Sequence, residues 1–371
     1  MVLKAEGDLR LLGAANTSEL HRQSSSKSGA IGVVASVNSQ GGTLGITANA
    51  SAARGMAEGS DLSWSNTHVS AGNTLHLESG QDTLLKGAVV SAPQISARVG
   101  GDLKLESLQD TSTYRSKDQS IGGSVTVGYG SASGSVSVSQ QKINSDFASV
   151  REQSGMQAGA RGFQVEVGGT TALKGAVIAS SDAAVSGGQN TFSTGGPLTL
   201  EDVHNQANYQ GSAYGVSLGV GTGQDGKLKG SGSGVGFGQM SGNASSTTTA
   251  GISGLAGDVG VRTGDKSQGL STIFDATRVS KDLGAQVAIT KQFGQEASKA
   301  IGDYAARQMA DAVKLKAQAQ QATDPQKAAD LSAEEMKDLG AFFQKKPATR
   351  SETTDADLAG VGRYIFTKGN T

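Results

Sequence analysis

Gly101-Asp102-Leu103-Lys104-Leu105-Glu106 is a short segment of alternating apolar and charged residues that recurs along the chain. Leu103 and Leu105 alternate with Asp102, Lys104 and Glu106, the period of two expected of a β-strand with one apolar face. The pattern occurs 94 residues earlier as Gly7-Asp8-Leu9-Arg10-Leu11 and 95 residues later as Gly196-Pro197-Leu198-Thr199-Leu200. A second landmark, Thr83-Leu84-Leu85-Lys86-Gly87-Ala88-Val89-Val90, returns as Thr171-Ala172-Leu173-Lys174-Gly175-Ala176-Val177-Ile178. Two landmarks repeating in the same order identify a true internal repeat. Leu75 and Leu77 around His76, and Val165 and Val167 around Glu166, alternate in the same way.

Strands this short, separated by Ala-Gly, Gly-Gly and Ser-Gly turns, cannot bury an apolar face alone; stacking them does. The expectation is a mainly β chain: a parallel β-helix (solenoid) over residues 1–250, made of three ~94-residue repeats and carrying projecting Gly/Ser-rich β-hairpins, then a smaller α-helical C-terminal region. A sandwich or barrel of short antiparallel strands is the alternative. Composition fits a thin, repetitive body, with 54 glycines, 4 prolines, 4% aromatic residues and 36% hydrophobic residues in 371. Collagen is excluded because glycine does not fall at every third position. The net charge of −1 gives no electrostatic footprint for nucleic acid. With no cysteine there is neither a disulfide framework nor a thiolate metal site.

Three tracts exclude charge at the repeat period: Ser28 to Ala53, Gln119 to Gln141, and Gly211 to Gln224 with Gly230 to Gly257. Inside them Val125, Val127 and Tyr129, then Val136 and Val138, alternate with Gly, Ser and Thr; the third tract reads Tyr214, Val216, Leu218 and Val220, a charged turn, then Val235 and Phe237. Each is strand, turn, strand, and these eleven side chains are the candidate membrane-interacting positions, on strands at the short end of the ~9–11 residues a membrane strand needs. The competing reading has each hairpin fold back over its own solenoid or pair edge to edge with a neighbour.

Charge density rises towards the C-terminus: the first 259 residues hold 35 of the 65 charged side chains and the last 112 hold 30. Residues 251–269 are read as a Gly-rich linker, 270–346 as α-helical and 347–371 as a flexible tail. Val279, Leu283, Val287, Phe293, Ala297, Ile301, Tyr304, Ala305 and Ala312 form one stripe at helical spacing, and Ser332 with Glu335 makes a capping box for a second helix. The stripe is read as a packing face.

Nothing in the sequence assembles an active site. His21, His68, His76 and His204 are isolated, no pair of them has metal-ligand spacing, and no Gly-x-Ser-x-Gly elbow joins a core strand to a long helix. The glycines around Gly219, Gly221 and Gly223 lack the helix and the Lys-Ser/Thr pair of a phosphate loop. Asp8 and Asp102 recur once per repeat, as turn formers do. Trp64 reads as a core plug or a coil cap rather than a ligand platform, and Tyr114 and Tyr209, each 13 residues after the landmark glycine, read as structural repeat positions. No catalytic residue, metal, cofactor, small-molecule ligand or nucleic-acid partner is expected.

Gly101 to Tyr114, Ala71-Gly72-Asn73-Thr74-Leu75, Leu85 to Val89 and Leu173 to Ser181 resemble the haemagglutinin repeat of large two-partner-secreted exoproteins, the filamentous haemagglutinins and the contact-dependent growth inhibition proteins called CdiA. The resemblance covers about residues 1–250. Lys291 to Ala297 and Ile301 to Ala305 are similar to the pretoxin stretch of that family. It implies a parallel β-helix on a Gram-negative surface, exported through an outer-membrane two-partner secretion transporter. It further implies a repeat region that meets the target cell's outer membrane or a surface receptor while a C-terminal toxin is delivered. The alternative is an adhesion or biofilm filament without toxin cargo; a glycan-processing enzyme would need carboxylates clustered on successive coils. The charged start Met1-Val2-Leu3-Lys4 is not a signal peptide, and neither a Val-Glu-Asn-Asn motif nor a toxin is seen after residue 350. The expectation is therefore a fragment of a longer exoprotein, or a truncated relic.

Overall fold

A computed structural model describes residues 1–38, 41–222, 227–230, 233–296 and 314. Met1–Gln292 form one compact unit; a second, Phe293–Thr371, is described only at 293–296 and 314. The chain is mainly β. The short alternating strands build three sheets, each visited once per passage of the chain. The first holds Val2–Ala5, Thr74–Ser79, Gln94–Val99, Phe163–Val167 and Thr191–Thr194. The second holds Leu9–Leu12, Thr83–Lys86, Leu103–Glu106, Thr171–Lys174 and Leu198–Glu201. The third holds Thr67–Ser70, Ala88–Ala92, Gly155–Ala158, Val177–Ala179 and Gly251–Ile252. All these pairings are parallel and follow chain order. An antiparallel strand, Ala256–Gly257, ends the third sheet.

Alternation decides what is buried. Leu75, Leu77, Leu103, Leu105, Val165 and Val167 sit in one core cluster fed by all three sheets, together with Leu85, Val90, Met156, Phe163 and Ile178. His76, Lys104 and Glu166 point out to solvent. Outside, successive passages are tied by ion pairs: Lys4–Glu78 at 2.8 Å, Lys86–Glu106 at 3.1 Å, Arg98–Glu166 at 3.2 Å and Lys174–Glu201 at 2.6 Å. The turn aspartates form a ladder of their own. Asp8 Oδ1 accepts the Asp82 N–H at 3.3 Å, Asp82 Oδ1 that of Asp102 at 2.8 Å, and Asp102 Oδ1 that of Thr170 at 2.7 Å.

The two landmarks mark different passages. Where the chain runs straight from the second sheet to the third, it turns at Gly87 (φ 62°) or Gly175 (φ 53°). Left-handed backbone is open to glycine, and a Cβ on Gly175 would stand 2.7 Å from Val203 Cγ2. On the other passages the chain leaves that corner as a hairpin: Ala14–Asn38 with Gly41–Ser65, Gln109–Gly128 with Ser131–Val150, and Val203–Thr222 with Leu228–Gly230 and Gly234–Thr248. One repeat is thus two passages plus one hairpin.

The first two hairpins are longer than their uncharged tracts, which form only the outer parts, whereas in the third the uncharged tract runs the full length of the return arm to the root; an arm of 25 residues extends about 80 Å. They pair edge to edge. Gly41–Ser65 joins Gln109–Gly128, and Ser131–Val150 joins Val203–Thr222, giving one antiparallel sheet. Polar side chains stitch the roots together. Asp110 accepts the Trp64 N–H at 2.7 Å and pairs with Arg151 at 3.4 Å, while buried Asn205 accepts from the Val150 N–H and donates to Ser246 and Thr248. Trp64 itself is half-buried at the root of the first hairpin rather than in the core cluster.

Residues 251–269, expected as a linker, are packed on this body. Gly251–Ile252 pairs with Val177–Ile178, Ile252 is fully buried, and Ser267 and Leu270 bond to Val150 and Ser149. Helix 276–296 follows. Val279 and Leu283 of the expected stripe bury against Ile143, and Phe274 stacks on both Tyr114 and Tyr209, with ring centroids 5.4 and 5.9 Å away. The two repeat tyrosines thus meet one aromatic partner. Phe293 is exposed. Ala297, Ile301, Tyr304, Ala305, Ala312, the capping box of Ser332 and Glu335, and the 347–371 tail lie outside the described residues.

Three outcomes are expected. Gly175→Ala should lower unfolding free energy by about 1–2 kcal/mol for the left-handed backbone alone, read by urea denaturation. Leu283→Ala should cost about 2–5 kcal/mol of local stability and show first as faster amide exchange in 276–292. The bond from the Thr170 N–H holds the Asp102 carboxyl below its usual range, and the Lys4 hydrogen bond does the same for Glu78. Their stabilisation is present above the ordinary carboxylate range and lost as pH falls through the lowered values. The Glu201 hydrogen bond raises Lys174, whose contribution is lost as pH rises through its folded value. Melting temperature against pH should therefore show a plateau falling at both ends, and Asp102→Asn should flatten part of the acid limb.

Candidate functional site: the two faces of the hairpin sheet

Register and parity sort every hairpin side chain onto one of two faces. Val125, Val127, Val136, Val138, Tyr214, Val216, Leu218, Val220, Val235 and Phe237 fall on one face. The pairs Val136–Leu218, Val138–Val216, Val216–Val235 and Tyr214–Phe237 are direct cross-strand partners. The first hairpin adds Ile31, Val33, Leu44 and Ile46 to that face, because Val33 opposes Ile46 and Ile46 opposes Val127. These four were missed in the sequence, although they lie in the first uncharged tract with the same alternation.

This apolar face is open to solvent. Ile31 is 82% exposed and Val33 72%, while Val125, Val127, Val136, Leu218, Val220 and Phe237 are each exposed by about half or more. Val216 is the most covered of the candidates, at an intermediate level. Tyr129 lies outside the paired strands, in the turn between the two arms of the second hairpin, 93% exposed beside Gly130 (φ 74°). Edge-to-edge pairing thus occurs without covering the apolar face, so it does not exclude a membrane role.

The opposite face is built of small and hydroxylic residues. Ser28–Ser51, Ser120–Ser139 and Ser124–Ser135 bond across the strands at 2.7 Å each, and Thr126 donates to Thr47 at 3.0 Å. The helix covers this face over the third hairpin. A Cβ on Gly211 would come 2.7 Å from Leu283 Cδ1 and one on Gly215 2.9 Å from Val287 Cγ1, so glycine makes the room the helix occupies. Thr290 and Gln286 also reach the outer strand, where they accept the N–H groups of Phe237 and Gln239 at 2.8 and 2.9 Å. Those bonds occupy part of an edge that would otherwise be open to pairing.

Among the described residues no three His, Asp or Glu side chains are grouped as a metal ion would need. In a polar cavity of about 430 Å³, the Arg262 and Asp258 side chains are both engaged. Arg262 bonds Asp182 at 2.6 Å, and Asp258 accepts from Thr249 and the Gly260 N–H. His21 and His68 lie 3.8 and 3.2 Å from Glu19 and Glu152, all exposed. No helix of the described residues is long and apolar enough to cross a membrane, which says nothing of strands.

Comparison with known proteins places this architecture. Residues 1–121 match the model of the hemagglutinin repeat. The chain is 38% identical over 271 residues to "Toxin CdiA" of Escherichia coli, covering 72% of this chain and 8% of that protein. It is 36% identical over 347 residues to "tRNA nuclease CdiA" of Escherichia coli (strain NC101), covering 85% and 10%. A third relative, "Deoxyribonuclease CdiA" of Dickeya dadantii (strain 3937), is 37% identical over 315 residues, covering 77% and 9%. The chain therefore spans about a tenth of the length of these relatives, and the part matched by the family model is the repeat part. It is a haemagglutinin-repeat region of the CdiA exoprotein type.

Proposed function

We propose that this chain is a non-enzymatic segment of a bacterial surface exoprotein that presents a C-terminal toxin to a contacted cell and helps deliver it by inserting the hairpin sheet into that cell's outer membrane. In this reading the three parallel sheets close into a β-helix stalk. The full-length protein reaches the surface through a two-partner secretion transporter, and the hairpin sheet is the working part. The observation that carries it is the apolar face: valine, isoleucine, leucine and phenylalanine left exposed on contiguous strands, with Ser, Thr and Gly behind them. A continuous exposed apolar surface marks an interaction site, and lipid-side apolar with lumen-side small and polar is the alternation of a membrane strand. The nuclease names of the relatives concern activities that this reading assigns to other parts of those proteins.

Trypsin digestion with and without liposomes is the direct test. Protection at Lys142, Lys227 and Lys229, with fragments spanning 119–141 and 211–257 and dye release from the vesicles, is expected. Val127→Asp combined with Val220→Asp should abolish both protection and release, since a charge on the lipid face of a membrane strand is strongly disfavoured. Identical digestion with and without lipid would sink insertion and favour the adhesin or passive-stalk reading.

A further inference from the structure

The uncharged part of the apolar face has a definite lower border, and that border is cationic. Lys117 stands directly opposite Lys142 in the second hairpin. Met56 is the neighbour of Lys117 on the other side, and Arg54, two residues along, opposes Gln119. Lys27 opposes Ala52 in the first hairpin. Each cation is an even number of residues from an apolar-face position on its own strand: Lys27 from Ile31, Arg54 from Ile46, Lys117 from Val125 and Lys142 from Val138. All four therefore share that face.

No acid shares these rows on this face; Glu58, opposite Arg115, is one row nearer the root. On the other face at the same level, Arg22 is matched in number by Asp118. All four cations are exposed, and none makes an ion pair within 4 Å among the described residues. Two lysines directly opposed on neighbouring strands repel. A free-standing sheet gains nothing from that arrangement; a sheet that meets anions does.

The third hairpin has aromatic side chains where the others have cations. Through the register Arg54–Gln119–Gln140–Tyr214–Phe237, one row across five strands ends in a directly opposed tyrosine and phenylalanine. From Gln119 to the end of the strand at Gly128 is about 30 Å, close to the ~30 Å of a bilayer's hydrocarbon. Cations and a tyrosine gathered in three adjacent rows of this face, with apolar and small residues on the strands beyond them up to the hairpin turns, match the composition of a membrane–water boundary.

We propose that this band of three rows is a waterline: Lys27, Arg54, Lys117 and Lys142 bind the anionic phosphate headgroups of a lipid surface while the face beyond them enters the hydrocarbon. It rests on the insertion reading above and adds the lipid class and the depth.

The test is co-sedimentation of the full chain with phosphatidylcholine vesicles and with vesicles that also contain phosphatidylglycerol. Wild type should prefer the anionic vesicles, and that preference should shrink with added salt. The Arg54→Gln/Lys117→Gln/Lys142→Gln variant should lose about fivefold in affinity for anionic vesicles per cation removed, about 100-fold in all, with phosphatidylcholine binding unchanged. Lys142→Gln alone should leave melting temperature equal or higher, because it removes a repulsion, which separates binding from folding. Equal binding of wild type to both vesicles would overturn the waterline and leave insertion standing, as would a triple variant that binds like wild type. Displacement from anionic vesicles by inorganic phosphate at matched ionic strength would assign the cations to a free anion instead. Binding to neither vesicle would overturn both readings.

Discussion

A match of two spacings underlies the whole arrangement. Each passage through the three parallel sheets advances the chain by one strand separation, about 4.8 Å, and a hairpin is two strands wide. With one hairpin on every second passage, the advance between hairpin roots equals the width of a hairpin. Neighbouring hairpins therefore meet with no gap and no overlap, and Gly41–Ser65 zips onto Gln109–Gly128 as Ser131–Val150 does onto Val203–Thr222. A hairpin on every passage would be crowded, and one on every third would leave unpaired edges. The ~94-residue repeat is thus the smallest unit that fills both the parallel stack and the antiparallel sheet.

From that match the two faces follow. In-register pairing keeps side-chain parity the same across every strand, so the alternation within single hairpins adds up to one apolar and one hydroxylic face. The helix then selects between them. It lies where Gly211, Gly215, Gly236 and Gly238 admit it, on the small-residue side of the third hairpin. Val279, Leu283 and Phe274 bury there against Ile143, Tyr114 and Tyr209. The larger apolar surface is left uncovered, although covering it would release more free energy per area. A face kept exposed at that cost, bordered by opposed like charges, is organised for something other than stability.

Much of this fold is legible in the amino-acid sequence. Alternation in Leu103–Leu105, Leu75–Leu77 and Val165–Val167 predicted which side chains enter the core, because strand parity is local. The recurring Lys-Gly-Ala landmark revealed the repeat, and the structure shows that its glycines, Gly87 and Gly175, are left-handed corners. The three charge-free tracts located the outer hairpins. Other features were misplaced for equally physical reasons. Hairpin length was underestimated because charged residues such as Glu19, Arg115 and Asp146 are compatible with a strand that is solvated at its root. The stretch 251–269 has a linker's composition, yet Gly251–Ile252 and Ala256–Gly257 are the last two strands of the third sheet.

Strand, turn, repeat and the two-faced character of each hairpin depend on neighbours a few residues apart and are encoded locally. Which hairpins touch, which face the helix covers and which cations lie in neighbouring rows follow from long-range register alone. Those depend on register between segments such as Arg54, Lys117 and Tyr214, separated by 63 and 97 residues along the chain. No local pattern encodes that register. It is set by the advance of the parallel strands that anchor the hairpin roots, a distance that exists only once the chain has folded.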